Sequence, residues 1–501
     1  MIRLSPEQNY AVQSFEEGNN LFITGPGGTG KTLLIQYLVK NAEKREKKIQ
    51  VCALTGCASL LLNCNARTIH SWSGIRQGKG DEEKIITGVF YNKKALAAWR
   101  KTDILVIDET SMMSKKIFEL LDKIGRRTRG KYDKPFGGMQ VVFVGDFYQL
   151  PPVGSMDDPD TCAFCFESNK WKEVFELDNH VVLTTMFRQL DPVYQAILLN
   201  IRKGKIDKEQ IAVLREYVNR PFDSEANNGC ILTKLFPTKA RVDYYNQQMF
   251  DALEGQSYEF NCITKSNCKS YLDNSNRSAI SLQELEKGSN LSKTATEKEF
   301  ENLKIHTPCI PILSLKKGAA VMCTVNLDME NGICNGSIGI VSDFVVRMNI
   351  PVPVIQFSNG IKREIPINYW HSEEYPTIAI GQYPLCLAWA MTIHKIQGAT
   401  LPMAEMDIGK SIFESGQTYV ALSRVKSLQG LYLSHFFPQN IRANEKVTAF
   451  YDTIPEVEYE MEEENEENEG IDENKKELDF EAFIYKEETE ILDPTIKKII
   501  L

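Results

Sequence analysis

Near the start of the chain, Gly25-Pro26-Gly27-Gly28-Thr29-Gly30-Lys31-Thr32 carries the spacing GxxxxGK followed by Ser or Thr, which a phosphate cradle requires. Glycines let successive backbone N–H groups close around phosphate oxygens. Lys31 is placed to neutralise the β- and γ-phosphates, and the Thr32 hydroxyl to hold magnesium. The chain is therefore expected to bind a nucleoside triphosphate. A second pair, Asp108-Glu109, follows the apolar run ILVI. At that position a phosphoryl-transfer enzyme sets one carboxylate on the metal and another beside the attacking water. A third group, Gly145-Asp146-Phe147-Tyr148-Gln149-Leu150-Pro151-Pro152-Val153, offers Gln149 as a polar side chain that can reach a γ-phosphate and change partner on hydrolysis.

These residues need strand ends to hold them. LFIT runs into the glycine-rich turn, and TLLIQYLVK after it has helical periodicity and a cationic end. IQVCALTG, DILVIDE and MQVVFVGD repeat the pattern of a short apolar run that stops at small or acidic residues. Runs of this kind are buried parallel strands covered by helices on both faces. Residues 1 to about 184 are thus expected to form an α/β layered sheet with its chemistry at the strands' carboxyl ends. A polar stretch over about 74–98 predicts a small helical insert. Residues 261–309 read as a polar insertion, and 310–384, with AAVMCTV, SIGIVSDFVV, VPVIQF and REIPI broken by NG, GS and Pro, as a small all-β module. LCLAWAMTIH and GLYLSHF then return to the buried-strand pattern, so a second α/β unit over 185–260 and 385–450 is expected to be interrupted by the module.

Composition bounds the partners. The chain has 501 residues, of which 43 % are hydrophobic, and no apolar run approaches a membrane span. The first twenty residues lack a signal-peptide core and carry acids, so an intracellular protein is expected. The twelve cysteines show no regular framework and are expected as reduced thiols; Cys162 and Cys165 form one CxxC without a second pair to complete a zinc site. Net charge is −9, yet residues 451–501 hold 19 Asp and Glu against 5 Lys and Arg, a local −14 that leaves +5 on the preceding residues. A mildly basic body can meet nucleic acid. Thr55, Thr68, His70 and Trp72 lie after strand ends of the first unit, and Thr392, His394, Lys395 and Gln397 in the second. Hydroxyls, imidazoles and a lysine suit phosphate contacts, and an indole can stack on a base.

Taken together the motifs resemble the PIF-one (petite integration frequency) helicase family of superfamily 1B, related to RecD. The resemblance rests on LSPEQ, GPGGTGKT, LTGCAS, RTIHSWSGI, DILVIDETSMMSKKIFELLDKIGRR, GDFYQLPPV, MFRQ, KKGAAVMCTVN, NGSIGIV, WAMTIHKIQGATL and YVALSRVKS, in the family's order over about residues 4 to 430. It implies two RecA-like P-loop domains, with the 74–98 insert as a wedge and the β module as an SH3-like domain over a single-strand track. It implies that Gln8 reads adenine, that Gly25, Gly27, Gly28, Thr29, Gly30, Lys31, Thr32 and Gly398 line the nucleotide site, and that Thr32 and Asp108 hold Mg2+. By the same resemblance Arg188 and Arg424 reach the γ-phosphate from the second unit, beside Lys31, Asp108, Glu109 and Gln149. The eight polar and aromatic candidates above would line the strand track.

The implied activity is ATP-dependent 5′-to-3′ DNA unwinding, on duplex, forked, RNA–DNA or G-quadruplex DNA, in replication, repair or maintenance of a genome. A nuclear or mitochondrial setting is implied for a eukaryotic source, and cytoplasm otherwise. A monomer is expected, with no membrane partner. An RNA-directed or RecD-like recombination motor, and a silent ATP-binding clamp, are the alternatives that the residues leave open. The acidic tail lies outside the shared pattern; its charge run is expected to be disordered in solution, to dock a partner protein, or to mimic DNA and compete for the basic track.

Overall fold

The computed structural model describes residues 4–455, apart from 224–231, 269–290 and the positions 56–57, 59–61, 63, 65, 77, 79, 329–330, 334 and 373–374. Most of the acidic tail and the centre of the 261–309 insertion therefore lie outside the described residues.

The first α/β unit begins with helix α1 (Pro6–Glu16), capped by Ser5 and Gln8 in a reciprocal capping box. Its strands are β1 (Leu21–Thr24), β2 (Ile49–Ala53), β3 (Arg67–Thr68), β4 (Ile104–Asp108), β5 (Gln140–Val144) and β6 (His180–Val182), all parallel in the order β3-β2-β4-β5-β1-β6. β1 and β4 are buried at every position, as expected of strands sandwiched between helices. Helix α2 (Lys31–Lys44) follows β1 and packs with α1 on one face. The insert is helical: α3 (Glu82–Tyr91) and α4 (Lys93–Lys101) lie against α5 (Lys115–Arg129) on the other face. Trp99 and Trp72 meet there with ring centroids 4.7 Å apart.

The second unit begins with α6 (Pro192–Arg202) and β7 (Thr233–Phe236), followed by α7 (Lys239–Ala252). The β module then intervenes. It starts earlier than the sequence pattern suggests, because β8 (Tyr258–Asn261) and β9 (Ile263–Lys265) already belong to it. β9 pairs with a later strand, and helix α8 (Lys293–His306) buries Leu303 beside Cys309, Ile378 and Ile380. The described ends of the 261–309 insertion are thus part of a packed layer, a long-range pairing that local polarity hides.

The module continues through β10 (Ile312–Leu315), β11 (Ala320–Cys323), β12 (Ile338–Arg347), β13 (Ile350–Phe357), β14 (Lys362–Glu364), β15 (Asn368–His371), β16 (Ala379–Gln382) and β17 (Leu385–Leu387). Its main sheet has the antiparallel order β14-β13-β12-β11-β17. The run LCLAWAMTIH is consequently split: β17 closes the module against β11, and β18 (Ala390–Thr392) pairs in parallel with β7. With β19 (Ala404–Ile408) and β20 (Leu431–Phe436), the second parallel sheet reads β18-β7-β19-β20. Helix α9 (Gln417–Leu422) is buried along its whole length between this sheet and the first unit.

One segment crosses back. Helix α10 (Glu445–Tyr451) leaves the second unit, and Val447 and Phe450 enter the aromatic core of the first. The Phe450 ring stacks on Phe166 at 4.3 Å, and the Tyr451 hydroxyl bonds Thr24 at 2.5 Å.

Candidate functional site

The cleft between the two parallel sheets gathers the residues that the sequence singled out for phosphate chemistry. Strand β1 ends at Thr24 and the chain turns through Gly25 to Gly30 into α2. Gly28 and Gly30 have φ of +89° and +76°, and a Cβ at either would fall 2.6 Å from Arg188 Cβ or 2.8 Å from Gln8 Nε2. Only glycine fits this close approach. Lys31 donates to the carbonyls of Gly25 and Pro26, both at 2.7 Å, and Thr29 Oγ1 donates to Pro26 O at 3.0 Å. Burial pushes the Lys31 ammonium down to about 8, against the pull of Asp146 and Glu109. Thr32 is exposed on the first turn of α2.

Asp108 and Glu109 stand at the end of β4, the neighbour of β5 in the sheet. Burial first, and the adjacent Glu109 second, raise Asp108 to about 7, while the Glu109 amide and Lys31 oppose the rise. A buried Asp108 beside a partly buried Glu109 gains from a divalent cation, and the Asp108 carboxylate with the exposed Thr32 hydroxyl suits magnesium. Glu109 has φ +55°, a left-handed conformation that costs a non-glycine residue about 1–3 kcal/mol and persists where surrounding structure enforces it. Gln149 is buried after β5, on a turn closed by its own N–H to Asp146 O at 2.9 Å.

The second unit reaches the cradle by backbone and side chain. Phe187 and Arg188 N–H donate to Gly28 O at 2.8 and 3.3 Å. Arg188 donates to Ser423 O at 3.2 Å, and its guanidinium is depressed chiefly by burial. Arg424 is 1 % exposed and directs its donors to Val420 O at 2.8 Å, Ala399 O at 3.1 Å and Ser423 Oγ at 2.6 Å. Burial, then the neighbouring Arg188, bring it down to about 10. Both arginines thus stand at the cleft, with Arg424 built into the second unit's own backbone.

Gln8 is 2 % exposed; its amide accepts from Ser5 N–H at 3.1 Å and donates to Thr29 O at 3.2 Å. Gly398, at φ +83°, is exposed on the turn that follows β18.

Several site residues were not legible in the sequence. The Tyr419 hydroxyl accepts the Gly27 N–H at 2.7 Å across 392 residues, so a cradle donor is already engaged. Arg202 of α6 grips Asp146 with two bonds of 2.9 Å, both side chains buried, and lies 4.6 Å from the Tyr148 ring centroid. The Phe187 ring, exposed, borders Gly30 beside Gln8. Asp146 sits in a motif that the sequence flagged, but nothing local announces its arginine.

The strand candidates divide. Thr55, Thr68 and His70 are partly exposed, although Thr55 Oγ1 accepts from Ala58 N–H and Thr68 Oγ1 caps the one-turn helix Ile69–Ser73. In the second unit Thr392 is partly exposed and accepts from Lys395 N–H at 3.2 Å. His394 lies stacked on Phe413, and Lys395 is exposed. Two expectations are corrected. Trp72 is 2 % exposed against Trp99, where the indole fills the seam between sheet and insert and presents no face to a base. Gln397 is 6 % exposed and donates to Glu109 Oε2 at 2.8 Å, on the nucleotide side of the cleft.

Comparison with known proteins agrees with this arrangement. The profile described as PIF1-like helicase matches residues 3–212, and that of the DNA helicase Pif1 2B domain matches residues 299–344. The ATP-dependent DNA helicase PIF1 of Xenopus laevis is 32 % identical over 452 residues, covering 90 % of this chain and 64 % of its own. The chain thus spans less than two thirds of the length of that curated relative. The crystal structure of Pif1 helicase from Candida albicans superposes with a TM-score of 0.74 at 32 % identity, covering 91 % of this chain and all of that one. Bacteroides Pif1 in complex with ADP-AlF3 and ssDNA gives 0.62 at 27 %, over 90 % and 97 %. With two α/β units closing on a glycine-rich cradle, and a relative of that identity covered end to end, the chain belongs to the PIF1-like helicase family.

Proposed function

We propose that the chain is an ATP-dependent DNA helicase that moves 5′ to 3′ on single-stranded DNA and opens the duplex ahead of it. The observation that carries the reading is that one cleft brings the Gly25–Thr32 cradle and Asp108-Glu109 from the first unit against Arg188 and Arg424 from the second. Hydrolysis there is tied to relative movement of the two units. A silent clamp would have no use for both carboxylates and both arginines together. The solved Bacteroides relative holds ADP-AlF3 and ssDNA, which supports the same pair of ligands for this chain.

In this reading the cradle N–H groups bind the phosphates after Tyr419 gives up Gly27. Lys31 exchanges its two carbonyl partners for phosphate oxygens. Gln8 meets the base, with the Phe187 ring beside it. Thr32 and Asp108 would hold magnesium, which would supply neutralisation of the β- and γ-phosphate charge. Glu109 takes a proton from the attacking water, and Gln149 senses the γ-phosphate. Arg188 and Arg424 stabilise charge on the transferring group; such arginines contribute on the order of 10³ to 10⁵ in rate elsewhere. Thr55, Thr68, His70, Thr392, His394 and Lys395 hold the strand by its phosphates, which carries no sequence information.

Forked and G-quadruplex DNA as substrates, a monomeric working form, and a protein partner for the acidic tail belong to the same proposal. So does action in the nucleus or mitochondrion of a eukaryote, or the cytoplasm of another cell. Unwinding of matched duplexes with a 5′ or a 3′ single-stranded tail, with and without ATP, tests the core of it. ATP-dependent opening only of the 5′-tailed substrate is expected; opening from the 3′ tail, or without ATP, overturns it.

A further inference from the structure

Glu109 approaches the cleft from the first unit, yet the one side-chain hydrogen bond it receives among the described residues comes from the second. Gln397 Nε2 donates to Glu109 Oε2 at 2.8 Å across 288 residues. A carboxylate only accepts, so the amide must present its NH2 here and its orientation is fixed by chemistry. Gln397 is 6 % exposed, and its own Oε1 is buried without a partner among the described residues. An orphaned acceptor costs about 1–3 kcal/mol unless a ligand or water satisfies it. Covalent geometry keeps that oxygen close to the carboxylate, where the attacking water must stand.

The turn that bears Gln397 is held at several points. Lys395 N–H and Gln397 N–H close it on Thr392 O and His394 O at 3.0 and 3.3 Å, and Arg424 clasps Ala399 O at 3.1 Å. Thr392, His394 and Lys395, the second unit's candidates for strand phosphates, stand on the same few residues. A strand seated on them bears on the backbone that aims Gln397.

We propose that Gln397 is a positioning residue of the hydrolytic step, its amide holding Glu109 from across the cleft so that turnover depends on the turn from Thr392 to Ala399 that meets the strand. Water gives its proton to Glu109 while its oxygen bonds the γ-phosphorus and the bond to the bridging β-oxygen breaks, leaving ADP and phosphate. Gln397 sets where the proton acceptor stands and takes no part in the transfer. The left-handed Glu109 backbone fits this role, since a strained residue needs outside support to stay aimed.

The inference rests on Glu109 as the base, so the full chain is assayed in two backgrounds, with an oligodeoxythymidine strand present and absent. Gln397→Met keeps length and loses the donor; its strand-stimulated kcat is expected to fall by about 10- to 100-fold, as misaligned reacting groups do. KM for ATP and strand affinity should stay within about twofold, the signature of an interaction that matters only at the chemical step. Gln397→Glu, the same shape with a second carboxylate, should fall further. If Glu109→Gln turns over normally, the reading of the base fails and this inference with it. If Glu109→Gln is inert while Gln397→Met turns over at the unmutated rate with unchanged stimulation, the inference alone is overturned. Equal losses of kcat and of affinity in Gln397→Met also overturn it. Should Gln397→Met melt early, Gln397→Glu decides by the same criteria.

Discussion

The two parallel sheets begin their helices in different ways, and the difference assigns their roles. After β1 the chain needs Gly25, Gly28 and Gly30, all at positive φ, before α2 can start, and the loop offers its backbone N–H groups to a phosphate. After β7 the corresponding connection is Pro237-Thr238, without a glycine and with one N–H missing at the proline. The second unit has no cradle of its own at that place. Besides the Phe187 and Arg188 N–H groups on Gly28 O, what it sends to the cleft is side chains: Arg188, Tyr419, Arg424 and Gln397. In the proposed function, one sheet binds phosphate with backbone, and the other reads the bound state with groups that move when the units move.

The strongest way to break this comparison is to empty the cradle. Lys31→Ala should reduce strand-stimulated hydrolysis to a few per cent or less and keep the fold, because the proposed work of the ammonium is to neutralise phosphate and the carbonyls it bonds, Gly25 and Pro26, belong to the cradle loop and not to a core. Turnover well above that level, measured at saturating single-stranded DNA, would remove the binding role from the first unit.

The reading side comes next, and the structure separates its two arginines. Arg188→Ala should keep nucleotide affinity and lose about 10³ or more in turnover, with little change in melt. Arg424→Ala should lose turnover too, but it also strands the carbonyls of Val420 and Ala399 in a buried turn. A loss on the order of 3 kcal/mol of stability in the second unit is expected. Equal melts for the two variants would contradict the buried anchoring of Arg424.

A smaller effect sharpens the meeting point of the two units. Tyr419→Phe frees the Gly27 N–H from a hydroxyl that competes with phosphate. ATP affinity should rise by the worth of one hydrogen bond, about 0.5–1.5 kcal/mol. Weaker ATP binding, measured by titration, would show that the hydroxyl serves the nucleotide instead.

The smallest effect addresses the first unit alone. His180 accepts from Trp171 Nε1 at 3.1 Å, and burial holds its imidazole below the ordinary 6.5. The neutral ring's contribution is complete above pH 6.5 and is lost as pH falls from there through the lower folded value. Melts between pH 7.5 and 5.5 should fall by less than about 1 kcal/mol on this account, and His180→Gln should flatten the trend. An identical pH response in the variant would place the titration elsewhere.

The sequence by itself determined the phosphate cradle, the Asp108-Glu109 pair at the end of β4, the parallel strands of both units and the helical insert. Each is encoded within one turn or one strand: consecutive N–H groups must come from consecutive residues, and a buried strand declares itself by unbroken apolar character. Gly28 and Gly30 could be read without a fold, because their φ angles follow from the loop they make. Tertiary structure alone decided that Tyr419 caps Gly27, that Arg202 grips Asp146, and that Gln397 turns from the strand to Glu109. It also decided that Trp72 closes a core seam, that β9 and α8 belong to the β layer, and that α10 returns to the first unit. In each of these, the partners are set by how separately folded layers close on one another. Periodicity and spacing describe a segment's own faces, and they hold no record of which distant surface will cover them.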